Sequence, residues 1–404
     1  MSVVVTGLGW VGAHGAGREA LARALAAGEP ASVEVDRTGG HHRAQGARRA
    51  ALVPVESLAP LVPAAAARRM SYPSRLAVAA TRLALADAGL DEKAPGFEAT
   101  GIVMATAFGP VRITEQMLDA ILHRGPDQAS PFHFTESVAS APASQMALAC
   151  KALGPNVTLT QREAGPLLAL GEGARLVERG RVTRALVGAV EEISPLLHAL
   201  LDRFHVLALP EADGSERPRP FDRRRTGLLA GEGATVLVLE SAASAAARGA
   251  QPLAVVDAAW GGFDPTAPPL DWGHGVDPLA TGLARGLSRH GLTAAALDRV
   301  VSGASGARRG DELEARVLRR ALGGDPPPVL VPKGATGEFS GSALGAAVLA
   351  VASAGDWPTP GFAEVDPAFD LAPHDGSSLA PARRILASAL ASGGSAAWAV
   401  LARP

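Results

Sequence analysis

Short apolar runs typical of β-strands alternate with alanine-rich helical segments along the chain, and this alternation is what most constrains the fold. The predicted strands span residues 2–6, 101–106, 157–160, 184–188, 234–239, 252–259, 299–302, 329–331, 384–388 and 397–401. The predicted helices span residues 18–27, 74–88, 114–123, 164–179, 312–321 and 342–354. Apolar strands interleaved with helices are typical of an α/β protein with a buried sheet. The order of elements occurs twice, with the break near residues 245–255.

Composition limits the function classes. The chain has 404 residues, of which 47% are hydrophobic, so a large core can be buried. The formal net charge of −2 gives no basis for binding nucleic acid or an anionic membrane. The single cysteine, Cys150, excludes an internal disulfide and a cysteine-based zinc site. With no signal peptide in the first residues and no uninterrupted apolar span of about 20 residues, we expect a cytoplasmic protein outside the membrane.

Gly7, Gly9 and Gly12 follow the first strand and formally match a dinucleotide-binding fingerprint. However, the next helix starts at Arg18, too late to place its N-terminus against a pyrophosphate, and no acidic residue follows a second strand. The ten histidines show no HExxH or HxH spacing. We therefore expect no cofactor and no metal site.

Five segments resemble, in order and over nearly the whole chain, motifs of the β-ketoacyl synthase family, the condensing enzymes of fatty-acid and polyketide assembly. They are VVVTGLGWVG at 3–12, RPFD at 219–222 followed by GLLAGEGA at 227–234, GASGARRGDELE at 303–314, PKGATG at 332–337 and SGGSA at 392–396. The RPFD and GEGA stretch is the most specific match. The resemblance implies a thiolase-like α/β fold of two similar halves, residues 1–245 and 246–404, in five αβαβα layers.

The residues that carry the family's chemistry are replaced. Condensation needs a thiolate at the N-terminus of a buried helix, and two histidines that bind the thioester carbonyl and promote decarboxylation. The resemblance places Glu163 at the cysteine position, Gly303 and Glu338 at the two histidine positions, and Ser392 at the phenylalanine of the last glycine motif. Cys150 lies in a different segment. The resemblance thus implies a degenerate site, with no residue assigned to catalysis.

Three charged residues that support the architecture of the family's site are retained, at Lys333, Asp311 and Glu314. Without the histidines they have no obvious reaction to assist. We expect them to form a partly buried ion-pair network that shapes the interior.

Two interpretations of Glu163 stay open from the sequence. The carboxylate could cap its helix or pair with an arginine such as Arg162. Alternatively, Glu163 and Glu338 could face each other and divide into acid and base, as paired carboxylates do when their surroundings separate their pKa values.

The run REAGPLLAL at 162–170 is similar to EQAGGLDAL, the run found in chain length factors, which are the ketosynthase β subunits of type II polyketide synthases. Glutamate here replaces the usual glutamine. This resemblance implies a heterodimer with an active ketosynthase α subunit, served by an acyl carrier protein with a phosphopantetheine-linked acyl chain. It also implies that the chain has no condensing activity of its own.

By the same resemblance, Phe108 matches the position that closes the acyl pocket near its floor. Phe132 and His133 match the segment that crosses to the partner, and Arg112 and Gln116 lie one and two turns beyond Phe108 if a helix begins there. These five residues are the predicted tunnel and interface residues. Ordinary core or interface packing is the alternative for all of them.

The sequence therefore predicts a non-condensing subunit that pairs with an active ketosynthase and helps to set polyketide chain length. The main alternative is an independent acyl-thioester enzyme, a malonyl decarboxylase or a cyclase, that uses Glu163 and Glu338. A homodimeric protein that carries an acyl chain without acting on it is a third class.

Overall fold

The computed structural model describes residues 2–39, 41–94, 96–353 and 355–404, and in it most strands join one large mixed sheet. The strands are β1 (Val3–Gly12), β2 (Gly15–Ala16), β3 (Val33–Glu34), β4 (Arg49–Ala50), β5 (Gly101–Ala105), β6 (Asn156–Leu159), β7 (Arg184–Glu191), β8 (Gly233–Ser241), β9 (Ala254–Phe263), β10 (Arg299–Ser302), β11 (Val329–Leu330), β12 (Arg384–Leu390) and β13 (Ser395–Ala402). All ten predicted strands have a counterpart, and the predicted α/β class is confirmed.

The helices cover both faces of this sheet. They are α1 (Arg18–Ala27), α2 (Ala64–Ala67), α3 (Tyr72–Asp87), α4 (Val111–Arg124), α5 (Pro131–Ser137), α6 (Ala141–Cys150), α7 (Gly165–Glu178), α8 (Pro195–Arg203), α9 (Ala242–Ala247), α10 (Val276–Arg289), α11 (Arg308–Leu322), α12 (Lys333–Thr336) and α13 (Gly341–Ala352). The last predicted helix was drawn to residue 354, and Ala354 lies outside the described residues.

The strand order shows the repeat that the sequence predicted. The sheet runs β11-β10-β12-β13-β9-β1-β8-β7-β5-β6, with β2 on β1. In the first half β1, β8 and β7 are antiparallel, and β7, β5 and β6 are parallel. In the second half β9, β13 and β12 repeat the antiparallel set, and β12, β10 and β11 the parallel set. The halves join where Val4 pairs with Val255 and Val5 with Ala254. A boundary at residues 245 and 246 stays a prediction.

The helices form three layers around the two half-sheets. Helices α7 and α13 contact strands of both halves and each other, so they lie between the half-sheets. Helices α3 and α6 cover the outer face of the first half, and α10 and α11 take the corresponding place on the second. The central cluster of buried residues contains Leu170 of α7 and Leu344 of α13. This is the five-layered αβαβα arrangement.

The first strand is longer than predicted. The sequence suggested that β1 ends at Gly7 and Gly9, but the strand continues through both to Gly12. Helix α3 packs so closely there that a β-carbon on Gly9 would lie 1.9 Å from the carbonyl oxygen of Ala80, and one on Gly7 would lie 2.2 Å from that of Ala84. The glycines therefore serve close helix–strand packing and form no loop that could cradle a phosphate.

None of the helices in the described ranges has the length and apolar composition needed to cross a bilayer.

Candidate functional site

Glu163 lies where strand β6 turns into helix α7. A single 3₁₀ turn, Arg162–Ala164, leads directly into the helix, so Glu163 sits at its N-terminal end. Arg162 has a φ of 47°, a left-handed conformation that non-glycine residues seldom adopt, and this makes the turn sharp. The free amides and the dipole of a helix N-terminus favour a negative charge at this point.

Lys333 and Glu338 form a buried ion pair beside Glu163. Lys333 Nζ lies 2.7 Å from Glu338 Oε1, and the lysine side chain is 1% exposed. Burial alone would lower the pKa of Lys333, but the nearby carboxylates of Glu338 and Glu163 outweigh it and hold that pKa above its usual value. The lysine is therefore a fixed positive charge in the interior.

The carboxyl group of Glu163 is poised between its charged and neutral forms. Burial, followed by the charge of Glu338, raises the pKa of Glu163 to about 7, while the ammonium of Lys333 opposes the shift. The residue is partly buried, but its Oε2 atom is shielded from solvent and finds no hydrogen-bond partner among the residues that the structure describes. A carboxyl group in this state can accept or donate a proton near neutral pH.

Over the residues that it describes, the structure shows neither of the structural roles that the sequence suggested for the Glu163 carboxylate, a helix cap or an ion pair with an arginine. No side chain caps the 3₁₀ turn or α7. The guanidinium of Arg162 turns away, and its Nη1 donates a hydrogen bond of 2.5 Å to Ser392 Oγ. Among the described residues, no ion pair joins Glu163 to an arginine. Ser392, at the former phenylalanine position, thus holds the residue that precedes Glu163.

Gly303 lies against the backbone of β12. It follows β10, and its amide N–H donates to Glu314 Oε1 over 3.3 Å. A β-carbon at this position would lie 3.0 Å from the carbonyl oxygen of Ser388 and 3.2 Å from Cα of Ala389, so a larger residue would require β12 to give by a few tenths of an ångström. The position to which the resemblance assigns the family's first histidine is therefore a tight fit for any side chain.

Asp311 and Glu314 lie on the first turns of α11 and support the loop that carries Gly303. Asp311 accepts backbone hydrogen bonds from Phe221, Ser305 and Gly306 at 2.9–3.3 Å. Burial raises the pKa of Asp311 to about 6 and that of Glu314 to about 7. Of the three retained charged residues, Lys333 is the one for which the structure describes an ion pair, with Glu338. Asp311 binds backbone amides instead.

Cys150 cannot replace the missing nucleophile. It lies at the end of α6 in the outer cluster, where burial raises the pKa of its thiol to about 11. Because the thiolate is the reactive form, this cysteine is inert at neutral pH.

Arg112 pairs with two buried carboxylates, a contact that the sequence did not reveal. Its Nε lies 3.3 Å from Glu192 Oε2, its Nη2 lies 3.9 Å from Glu232 Oε2, and its guanidinium carbon lies 5.2 Å from the centre of the Tyr72 ring. Burial raises the pKa of Glu192 to about 7. The Arg112 side chain itself is 42% exposed, and its role in a tunnel or interface stays a prediction. The signal in the sequence was the adjacent pair Glu191-Glu192 at the end of an apolar strand.

The other predicted tunnel residues lie at the surface of the single chain. Phe108 is 48% exposed and Phe132 is 37% exposed. Gln116 is exposed on α4, one turn beyond Arg112, and the half-buried His133 has its ring tilted by 57° against that of Phe132, with 5.9 Å between ring centres. Their roles in a tunnel or interface stay predictions.

Glu191 holds the turn that carries Phe108, and the sequence reasoning missed it. It is 3% exposed at the end of β7 and accepts hydrogen bonds from the turn that follows β5. Within the parts of the chain that the structure describes, no group of three or more His, Cys, Asp or Glu is placed to hold a metal ion.

Sequence comparison matches the chain to one protein family and to several enzymes that share one name. The family described as "Beta-ketoacyl synthase, N-terminal domain" matches residues 1–245. The 3-oxoacyl-[acyl-carrier-protein] synthase 2 of Synechocystis sp. is 30% identical over 328 residues, which cover 78% of this chain and 77% of that protein. The enzyme of the same name from Vibrio cholerae is 27% identical over 350 residues, covering 85% of this chain and 83% of that protein.

Solved structures of the same fold cover the chain completely. The ishigamide ketosynthase/chain length factor is 28% identical with a TM-score of 0.89, covering 100% of this chain and 99% of that one. A β-ketoacyl synthase from Burkholderia phymatum is 25% identical with a TM-score of 0.88 and the same coverage. A type II acyl-carrier protein in complex with its ketosynthase includes a chain with a TM-score of 0.87 at 22% identity, again over 100% and 99%, which shows the fold alone.

Proposed function

The chain belongs to the β-ketoacyl synthase family and has its thiolase-like fold, and from this we propose that it is a non-condensing subunit that pairs with an active ketosynthase. The observation that carries the proposal is the state of its site. Glu163 stands where the resemblance to the family places the nucleophile, and Gly303, where it places the first histidine, packs tightly against the backbone of β12. Condensation by this chain alone would need groups that it does not hold.

The surface of the single chain supports a partner. Five large apolar side chains are exposed on or beside the contacting helices α4 and α5. They are Phe108, Leu118, Leu122, Phe132 and Phe134, and we call them the α4–α5 face. Monomeric proteins rarely leave such side chains grouped in contact with water, because burying them is favourable.

The edge of the sheet at β6 is open. Among the described strands, β6 pairs only with β5, so one side of Asn156–Leu159 has free backbone donors and acceptors. Leu153, just before the strand, is 81% exposed. An open edge next to apolar side chains suits a second chain of the same fold, which would bury both.

In such a pair, Phe108 would face the partner, and its bulk would help to set the length of acyl chain that fits. The sequence relatives are described as 3-oxoacyl-[acyl-carrier-protein] synthase 2, whereas the structural neighbour at 28% identity is described as a ketosynthase/chain length factor. We propose the role of a chain length factor because neither a cysteine nor a histidine stands at the positions that the resemblance assigns to condensation. The growing chain would be delivered on an acyl carrier protein.

Co-expression tests the proposal. The chain is produced with an active ketosynthase that retains its cysteine and both histidines, and the complex is assayed with malonyl-loaded acyl carrier protein. A one-to-one heterodimer that makes product, together with an inactive isolated chain, is the expected result. The proposal fails if the chain condenses substrate by itself, or if the ketosynthase makes the same product without it.

One observation favours a second function, an independent acyl-thioester enzyme. The carboxyl group of Glu163 titrates near neutral pH, and its Oε2 has no partner, as suits an acid or base that acts on a malonyl group. Incubation of the isolated chain with malonyl-loaded carrier protein separates the two functions. Release of carbon dioxide that is lost in Glu163→Gln would favour the decarboxylase.

A further inference from the structure

We propose that Glu191 is a positioning residue for chain-length selection, because this one buried carboxylate holds the turn that presents Phe108. The inference rests on the proposed function and adds a specificity-determining residue to it. Glu191 binds Phe108 only through its backbone amide, so it would act through the backbone of the turn and not by contact with the acyl chain.

Four donors converge on the two oxygens of Glu191. Oε1 accepts from the Ala107 amide at 2.5 Å and from Ser340 Oγ at 3.1 Å. Oε2 accepts from Thr106 Oγ1 at 3.2 Å and from the Phe108 amide at 3.4 Å. Three of the four donors belong to consecutive residues of one turn, so the carboxylate fixes the backbone that leads into Phe108.

A second hydrogen bond within the turn depends on the bond between Thr106 and Glu191. Thr106 Oγ1 donates to Glu191 and accepts the Gly109 amide at 3.0 Å. Gly109 has a φ of +67°, a conformation that suits glycine, and a β-carbon there would lie 3.4 Å from Cα of Ala139. Residues 106–109 are therefore tied to the end of β7 through one side chain.

Ser340 links this turn to the degenerate site. It is 4% exposed, precedes α13 directly and lies two residues after Glu338. The same Glu191 oxygen that holds the Ala107 amide binds Ser340 Oγ. Glu191 thus sets the distance between the Phe108 turn and the segment that bears Glu338.

Glutamine cannot replace Glu191 in this arrangement. An amide group offers one oxygen and one NH₂, and each oxygen position of Glu191 faces a backbone N–H, from Ala107 on one side and from Phe108 on the other. The hydroxyl groups of Thr106 and Ser340 can rotate and accept a hydrogen bond from the glutamine NH₂ group. A backbone N–H can only donate. In either orientation Glu191→Gln leaves one backbone amide opposed by another donor and releases the turn on that side.

The first readout uses the isolated chain. Hydrogen exchange of the amides at residues 107–109 should become at least about tenfold faster in Glu191→Gln, while exchange in the interior of β7 stays unchanged. Glu240→Gln is the matched control, because Glu240 is a fully buried strand-end carboxylate that binds Thr6, Arg184 and Arg248 far from the turn. Equal exchange at residues 107–109 in Glu191→Gln and the wild type would overturn the proposal.

The second readout uses the reconstituted heterodimer with an active ketosynthase. Glu191→Gln should raise the fraction of products of the wrong length several-fold, Thr106→Val should act in the same direction, and Glu240→Gln should leave the distribution unchanged. If Glu191→Gln does not fold, Thr106→Val decides, since it removes only the hydroxyl that joins Glu191 to Gly109. An unchanged distribution in the variant that folds would overturn the proposal.

Phe108→Ala distinguishes failure of this proposal from failure of the proposed function. If Phe108→Ala alters product length and the Glu191 and Thr106 variants do not, Glu191 has no positioning role, while the chain-length function stands. If Phe108→Ala has no effect either, the chain-length function itself is wrong.

Discussion

Lys333 Nζ lies 2.7 Å from Glu338 Oε1 in the interior, and Glu163 supplies a second carboxylate to the same lysine. We expect Lys333→Met to cost about 3–5 kcal/mol of unfolding free energy, because it leaves buried carboxylates without a counter-charge. Urea denaturation measures the loss. Lys333→Met combined with Glu338→Gln should recover part of it, and a loss below about 1 kcal/mol in the single variant would contradict a structural ion pair.

The raised pKa of Glu163 predicts how stability depends on pH. The folded-state pKa of about 7 exceeds the ordinary value of 4.5, so the folded protein holds a proton that the unfolded chain releases between these pH values. This contribution is fully present below pH 4.5 and is lost as the pH rises through about 7. The loss is on the order of 3 kcal/mol.

Glu163→Gln should remove that decline and be more stable than the wild type at pH 8, as measured by urea midpoints from pH 4.5 to 8. Glu178→Gln, on the exposed face of the same helix, is the control and should keep the wild-type profile. Parallel profiles for Glu163→Gln and the wild type would show that Glu163 ionises normally.

Restoring the nucleophile alone should not restore condensation. We expect the thiol of Glu163→Cys to react with iodoacetamide faster than Cys150, since it lies at a helix N-terminus and Cys150 has a pKa of about 11. Mass spectrometry measures the alkylation, and turnover of malonyl-loaded carrier protein measures condensation. Turnover above background in this variant would mean that the histidine positions are dispensable.

Phe108→Ala should lengthen the products of the reconstituted pair, because it removes a ring from the surface that would meet the partner. Leu122→Ala is the control on the same α4–α5 face, 77% exposed and on the other end of α4. Mass spectrometry of the released products gives the distribution. The gating role is wrong if both variants produce the wild-type length.

The pair of His42 and His198, which lies outside the site, predicts that folding stability falls in acid. His198 Nε2 lies 3.1 Å from the carbonyl oxygen of Arg49, so that nitrogen carries the proton, and His198 Nδ1 accepts from His42 Nε2 at 3.1 Å. Burial lowers the pKa of both histidines below 6.5. Their stabilising contribution is present above pH 6.5 and is lost as the pH falls through the lowered values.

His42→Gln keeps a donor for His198 but cannot titrate, so its stability should fall less between pH 6.5 and 5 than that of the wild type. Thermal unfolding across this range is the measurement. His123→Gln is the control, since that histidine is 74% exposed. The prediction fails if all three proteins lose stability equally.

Much of the fold could be predicted because buried strands are apolar over their whole length. The strand at 299–302 and the helix at 18–27 match the observed bounds of β10 and α1. Helix α10 was missed although Leu279, Leu283 and Leu287 recur every four residues on its buried face. The apolar and polar faces of this helix are well separated, so the sequence did carry the signal for it.

The site was predicted less completely. The replaced positions could be read from the motifs, but the contact of Arg162 with Ser392 joins residues 230 apart in the chain, and no local pattern encodes it. The same holds for Arg112 and Glu232, and for Glu191 and Ser340. Buried polar contacts between distant segments depend on how the layers pack, which spacing along the sequence does not specify.

The crowding at Gly303 also limits how this chain could change over time. A β-carbon there would lie 3.0 Å from the carbonyl oxygen of Ser388 and 3.2 Å from Cα of Ala389, so the backbone of β12 would have to give by a few tenths of an ångström to admit any larger residue. A substitution at position 163 leaves this contact unchanged. The packing at Gly303 is therefore a constraint on the site that is separate from the chemistry at Glu163.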